Sequence, residues 1–330
     1  MIGNLKKVFL IVLFFFASCS HGTEVPVDLS VDLLLWQLYV SGDENWAQDI
    51  SPEGARRSAT ALNVPFKWQP GVRVGIGKKD FPCIDCALNF KYTWYQSTAF
   101  RSAVASSGGL YSSFSSNFYA NNTNGASFGP NYQNASIQWK VLFNTFDLEL
   151  AQTFKFNHGL QLKPFIGLKV ASINQNMYTT WQNPNPKTFF GITIPQNFTS
   201  ATENIKNNFY GVGPSFGLYS AYVKSFVEAF ADFSTALMWG HWSFYDVYKN
   251  NNNTNISTNS SNINGAAPML AGRIGLTWKH GFSDILLKIH LSYEAQIWFN
   301  QLQYYNFNMG RLNNLLSVQG MVFGAVIALR

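Results

Sequence analysis

Apolar residues recur at every second position through segment after segment of this chain, and that period of two constrains the fold more than any other feature. From Phe66 the even positions read Phe66, Trp68, Pro70, Val72, Val74 and Ile76, while the odd positions read Lys67, Gln69, Gly71, Arg73, Gly75 and Gly77. The pattern returns with Leu88, Phe90, Tyr92 and Trp94 against Asn89, Lys91 and Thr93. It returns again with Leu160, Leu162, Ile166, Leu168 and Val170 against Gln161, Lys163 and Lys169. Successive side chains of a strand point to opposite faces, so each segment predicts a strand with one apolar and one polar face. Beyond the N-terminal region no run of eighteen apolar residues occurs, which excludes a helical membrane protein. The chain is 16% aromatic but only 12% charged, about half the charged share of an ordinary soluble domain. Its aromatic content also excludes disorder. Strands that face lipid and lumen by turns, as in a membrane β-barrel, account for both the interleaving and the shortage of charge.

The N-terminus predicts export. Lys6 and Lys7 precede the apolar run Val8–Ala17, and small residues follow up to Gly22, the layout of a secretory signal peptide over 1–22. Phe16-Ala-Ser-Cys19 also approaches a lipoprotein box, which would lipidate Cys19. Removing 1–22 lowers the formal charge from +6 by two lysines, so part of the basicity is a sorting signal. Residues 23–330 are expected to form a single domain.

The fold class expected is all-β: an antiparallel transmembrane β-barrel of about ten strands, within a range of roughly eight to twelve. Candidate strands cover 28–40, 66–78, 84–100, 134–156, 160–178, 206–221, 225–244, 267–280, 284–300 and 315–330. Connections alternate between short turns and long loops, matching the short periplasmic turns and longer external loops of outer-membrane barrels. An even strand number places both termini in the periplasm of a Gram-negative bacterium. The Asn- and Ser-rich run 250–264 is expected as a mobile external loop, and Phe189–Ile194 as a segment that folds over the mouth or extends a strand. One segment changes phase. Trp139, Val141 and Phe143 are apolar at odd positions, whereas Phe146, Leu148 and Leu150 are apolar at even ones. A β-bulge near Asn144-Thr145 is the expected cause.

The polar phase of the strands supplies the candidate site. Lys67, Arg73, Lys91, Lys140, Lys155, Lys163, Lys169, Arg273, Lys279 and Lys288 stand against Asp32, Asp147, Glu149, Glu228, Asp232, Asp284 and Glu294. These are expected to line the lumen, either pairing to fill a narrow barrel or bordering a water-filled path with a mild anion preference. Cys83 and Cys86, in Cys-Ile-Asp-Cys, are a disulfide candidate, intramolecular or to an envelope neighbour. No metal site or cofactor is expected, because the cysteine pair lacks further ligands. No phosphate loop or hydrolase motif occurs, and His241 with Asp246 is the only pair worth naming for catalysis, so no enzyme is expected. The cations are spread along the strands, which argues against nucleic-acid binding.

Several stretches carry a family likeness: Asp32-Leu-Leu-Leu-Trp36, Trp68-Gln-Pro-Gly-Val-Arg-Val-Gly-Ile-Gly77, Tyr92-Thr-Trp94, Trp139 followed by Asp147-Leu-Glu-Leu150, and Leu162-Lys-Pro-Phe-Ile-Gly-Leu-Lys169. In these the chain resembles the major outer membrane protein family of Legionella and the MOMP-like porins of chlamydia-related bacteria. The resemblance implies a surface-exposed, porin-like barrel with roles in permeability and host contact. One departure is the C-terminus, Val326-Ile-Ala-Leu-Arg330, which lacks the usual final aromatic residue. The function expected is passive diffusion of small hydrophilic solutes or ions; the alternative is a closed barrel acting as a surface adhesin or structural envelope protein. Expected partners are outer-membrane lipids and lipopolysaccharide, small solutes or ions, host surfaces and a second copy of the chain.

Overall fold

The computed structural model describes residues 27–40, 45–53, 56–78, 86–120, 130–189, 192–283, 285–306 and 310–329. The signal segment 1–22, Cys83 and Asp284 lie outside the described residues.

Ten antiparallel strands close into a barrel: β1 (Val27–Val40), β2 (Gln69–Lys78), β3 (Ala87–Val104), β4 (Asn131–Ala151), β5 (Leu160–Pro184), β6 (Ser200–Lys224), β7 (Val227–Asn250), β8 (Asn255–Gly281), β9 (Ile285–Asn306) and β10 (Gly310–Leu329). Each strand pairs with its neighbour in sequence, and β1 closes the ring against β10 from Asp28↔Ala328 to Val40↔Leu316. Closure satisfies the whole backbone ladder, as hydrocarbon surroundings demand. The end holding Val27, Leu329 and the two-residue turn Ser225-Phe226 is the periplasmic one.

An apolar band girdles the periplasmic half of the wall. Leu29, Val31, Leu33 and Leu35 of β1 point outward, as do Ile166, Leu168 and Val170 of β5, Phe233 and Leu237 of β7, and Ile274 and Leu276 of β8. Trp68, Trp94, Tyr210 and Trp239 rim the band at its outer border, and Tyr222, Phe226, Trp278 and Phe282 at its periplasmic border. Such aromatic girdles mark the two membrane interfaces. About eleven residues of tilted strand cross a bilayer, yet β5 and β6 run 25 residues each and β8 runs 27. The barrel therefore continues well past the membrane on the outer side.

This extension overturns the expectation for 250–264. Only 251–254 turn, and residues 255–264 are the first part of β8, paired with β7 from Lys249↔Asn255 to Phe244↔Ser260. Ladder hydrogen bonds come from the backbone and make no demand on the side chain, so above the bilayer an Asn- and Ser-rich strand is free to form. The expected loop 301–314 likewise shrinks, with β9 continuing to Asn306 and β10 beginning at Gly310. Residues Asn45–Glu53 and Arg56–Asn63 form a hairpin on the outer part of the sheet, and Lys187–Phe189 pairs with Ile192–Ile194.

Candidate functional site

Strand β4 shows how the interior is built. Its register is unbroken against β3, from Ala87↔Ala151 to Val104↔Asn134, and it shows no shift against β5. The expected bulge at Asn144-Thr145 is thus absent. Odd positions point inward from Ala135 to Ala151: Ile137, Trp139, Val141 and Phe143 in the outer half, then Thr145, Asp147 and Glu149. What changes at this point is the surroundings. Below the outer membrane border the outward face meets lipid and must be apolar, leaving polar residues to the lumen. Above it the outward face meets water, so the inside becomes a dry core and the polar residues turn out. β1 makes the same change, with Ser30 and Asp32 inward low in the membrane and Leu34, Trp36, Leu38 and Val40 inward from the top of the apolar band upward.

Two candidate lumen residues are corrected by this inversion. Lys140 lies above the border and is exposed on the outer wall, in register with Thr98 and Asn176. Lys67 is exposed in the connection before β2, while Phe66 points inward and packs on Trp139 with ring centroids 5.4 Å apart. Alternation shows that two faces differ but not which of them is inside.

The membrane-level lumen gathers the remaining candidates among the described residues. Arg73 forks onto Glu294, with Nη1–Oε2 3.0 Å and Nη2–Oε1 2.9 Å, and its Nε donates to Thr93 Oγ1 at 3.1 Å. Asp32 sits beneath three cationic or protonatable groups: Arg73 at 3.6 Å, Arg273 at 3.9 Å and His290 Nε2 at 3.3 Å. Lys91 bridges to Glu149 at 2.8 Å, Arg273 to Asp232 at 3.4 Å, Lys169 to Asp147, and Lys279 to Glu228. Buried charges persist only when paired, and this network pairs them across several strands. Deeper cations rest on rings, Arg73 5.5 Å from Trp36, Lys169 5.9 Å from Trp298 and Arg273 5.3 Å from Phe230.

The Trp36 and Trp298 rings belong to an aromatic layer directly above, whereas the Phe230 ring stacks on Tyr219 and meets His290 at the level of the charges. Trp36, Trp46, Trp139, Trp181, Trp242 and Trp298 are all at most 1% exposed. The chain Tyr95–Trp36–Phe143–Trp298 has centroid spacings of 5.5, 6.4 and 5.2 Å. Phe143 is on β4 and Trp298 on β9, opposite walls of the barrel, so their contact spans the lumen. A register shift in β9 between Trp298 and Leu302 turns Gln301 inward, where its carbonyl accepts from Gln175 and Asn207 at 3.1 and 3.2 Å.

Outward of the Phe143–Trp298 contact, and close beneath Trp181, lies a carboxyl pair that alternation alone did not single out. Glu203 of β6 and Asp246 of β7 are wholly buried. Glu203 accepts from the Asn117 amide at 2.9 Å and Ser112 Oγ at 3.0 Å, and Asp246 accepts from the Ser116 amide at 2.9 Å. Both lie above the Tyr210–Trp239 border, outside the membrane. Burial, then the neighbouring Asp246, holds Glu203 well above the usual carboxylate range, and burial pushes Asp246 up to about 7. Their donors come from the short helix Ser115–Tyr119 and the strand before it, which fold into the outer mouth. Nothing in that Ser- and Gly-rich segment marks it as buried. Asp246 does not meet His241, which points outward and bonds Asn264 at 2.9 Å.

Towards the periplasm the lumen widens into a cavity of about 840 Å³, lined by Lys91, Lys155, Lys163, Lys279 and Lys288 among others. Cys86 lines the same cavity as a half-buried free thiol and does not face lipid; its expected partner Cys83 is outside the described residues.

A closed barrel with a lipid-facing apolar band, aromatic girdles and a charged interior defines an outer-membrane β-barrel protein, and the outer membrane is where this chain resides. Residues 23–328 match the family described as Legionella pneumophila major outer membrane protein precursor, and the chain belongs to that family. Among solved structures it is similar to the outer membrane protease OmpT from Escherichia coli, at 10% identity over 94% of this chain and 99% of that one, TM-score 0.47. It is also similar to a major outer membrane protein from Thermus thermophilus, at 10% identity over 92% and 99%, TM-score 0.36. A Pseudomonas aeruginosa FadL homologue matches at 8% identity over 92% and 90%, TM-score 0.26. No match is found among proteins of curated function.

Proposed function

We propose that this protein is an envelope barrel closed to free solute flow in the conformation described, presenting its extended outer rim as a contact surface toward other cells. The observation that carries this is the Phe143–Trp298 contact across the lumen, with the fully buried Trp36 packed against Phe143. Apart from the indole N–H groups, such packed rings offer water and ions no hydrogen-bonding partner, and hydrophobic constrictions close pores by dewetting. The outward rows above the membrane, with Lys140, Asn176 and Lys206, give the rim a polar surface suited to lipopolysaccharide and host contacts. The proposal includes no catalysis, since His241 and Asp246 face opposite sides of the wall.

Passive diffusion of small hydrophilic solutes is the second reading, favoured by the charged, cavity-containing lumen at membrane level. It requires the aromatic layer to move aside. Refolded protein in a planar lipid bilayer is expected to leave the current at the lipid baseline, and resolved current steps from the unaltered protein would overturn closure in favour of diffusion. The double variant Phe143→Ala/Trp298→Ala removes the crossing contact and is expected to produce such steps. Its folding is checked by circular dichroism, because each truncation costs about 3–5 kcal/mol.

A further inference from the structure

We infer that the periplasmic half of the lumen is a binding site for a small soluble oxyanion of at least two charges, phosphate-like or dicarboxylate in chemistry. The lumen's charge divides by depth. The upper chamber, beneath the aromatic layer, sets six carboxylates (Asp28, Asp32, Asp147, Glu149, Asp232 and Glu294) against the cations Arg73, Lys91, Lys169, Arg273 and Lys288. The periplasmic cavity shares Asp28, Glu149, Asp232, Lys91, Arg273 and Lys288 with that chamber, and there the balance reverses, because its own charges are Lys155, Lys163 and Lys279 against Glu228 alone.

Pairing localises the surplus. Glu149 is taken by Lys91, Asp232 by Arg273 and Glu228 by Lys279. Lys288 has its own interaction but stands directly opposite Lys279 in the β8–β9 register. Like charges facing one another across strands are destabilising, and the Glu228 carboxylate on Lys279 offsets part of that repulsion. On the opposite wall Lys163 of β5 lines the same cavity and has no ion pair or hydrogen bond among the described residues. The same holds for Lys155, on the short strand Phe154–Lys155 beside it. The amides of Asn89 and Gln161 supply neutral donors to the same space.

Two uncommitted ammonium groups, a facing pair of lysines and neutral amides around one cavity form a donor set for oxyanions, whose charged hydrogen bonds are the strong ones. Low-dielectric walls focus that potential at the mouth. The barrel wall separates the cavity from lipid headgroups, so the anion arrives from the periplasm. A volume of about 840 Å³ accommodates phosphate or a small dicarboxylate with its remaining water. Occupancy is an equilibrium property of the cavity and does not depend on whether the aromatic layer opens.

The test is calorimetric titration of the full refolded chain, in non-ionic detergent at low salt, with inorganic phosphate and separately with succinate. Saturable binding is expected for at least one of them. Lys155→Gln with Lys163→Gln should weaken it at least about tenfold, because each lost charged hydrogen bond is worth more than a factor of ten. These two changes leave no carboxylate unpaired, so folding is preserved. The matched variant Lys67→Gln/Lys140→Gln removes the same charge from the outer surface and should bind as the unaltered protein does. No saturable heat with either anion, or an equal loss in the two double variants, would overturn the assignment. Because the readout is binding and not current, its failure is separable from failure of the closed-barrel proposal.

Discussion

Arg73→Met destabilises the barrel by about 3–5 kcal/mol, the expected cost of removing one partner from a buried ion pair. Methionine fills much of the volume and leaves the packing on Trp36 approximately intact, which isolates the electrostatic loss. Glu294 then keeps only its bond from Gln296, at 2.7 Å, in place of a two-pronged guanidinium. Asp32 fares better, since Arg273 and His290 remain beside it. Arg73→Lys retains the charge but not the fork or the Thr93 bond, and an intermediate loss of roughly 1–2 kcal/mol is expected. The double variant Arg73→Met/Glu294→Gln should recover most of the single-variant cost, because the orphaned charge is gone. Urea unfolding in lipid vesicles, followed by tryptophan fluorescence, measures all three. If Arg73→Met lay within about 1 kcal/mol of the unaltered protein, lumen water would be solvating Glu294 and the network would be a channel lining and not a structural tie.

The outer mouth is expected to be held most firmly in acid and to loosen as pH rises toward 8. Glu203 and Asp246 both titrate above their unfolded values, Asp246 at about 7, so in the pH range between those values the folded state binds more protons than the unfolded one. Stability falls with rising pH wherever the native state holds the extra proton, here by an amount on the order of a few kcal/mol across pH 4 to 7. The donors facing the pair are Ser112, Ser116 and Asn117, with Tyr132 and Tyr248 nearby, and no Lys or Arg stands among them. Deprotonation therefore leaves buried negative charge without a cation. Hydrogen exchange at the Ser116 and Asn117 amides reads the effect directly, since both donate to the pair, provided protection factors are corrected for the intrinsic rise of exchange with pH. Glu203→Gln keeps an acceptor for the Asn117 amide and removes one titrating group, so its protection should vary far less between pH 5 and 8. Parallel profiles for Glu203→Gln and the unaltered protein would show that the pair does not control the mouth.

The candidate site was legible where strands cross the membrane and illegible above it. Arg73, Lys91, Asp147, Glu149, Lys163, Lys169, Glu228, Asp232, Arg273, Lys288 and Glu294 all reach the lumen, because lipid forces apolar residues to the outside and leaves the polar phase no other place. Lys67 and Lys140 obey the same alternation but sit beyond the lipid, where the rule reverses. The phase change at Asn144-Thr145 was visible in the sequence; its meaning was not, since a bulge and a change of solvent produce the same string of residues. Residues 250–264 misled for a related reason: composition reports what a core needs, and a strand standing in water needs none of it.

By itself, then, the sequence determined the period of two and the membrane band and bounded the strand number to roughly eight to twelve, because period and band follow from the pleat of a single strand and from the hydrocarbon it must face. Only the tertiary structure decided which face is inside at each height and which walls touch. Phe143 and Trp298 lie more than 150 positions apart, and no local pattern relates them. Closure of the ring brings β4 opposite β9, and that contact separates the charged lower lumen from the acid pair at the mouth.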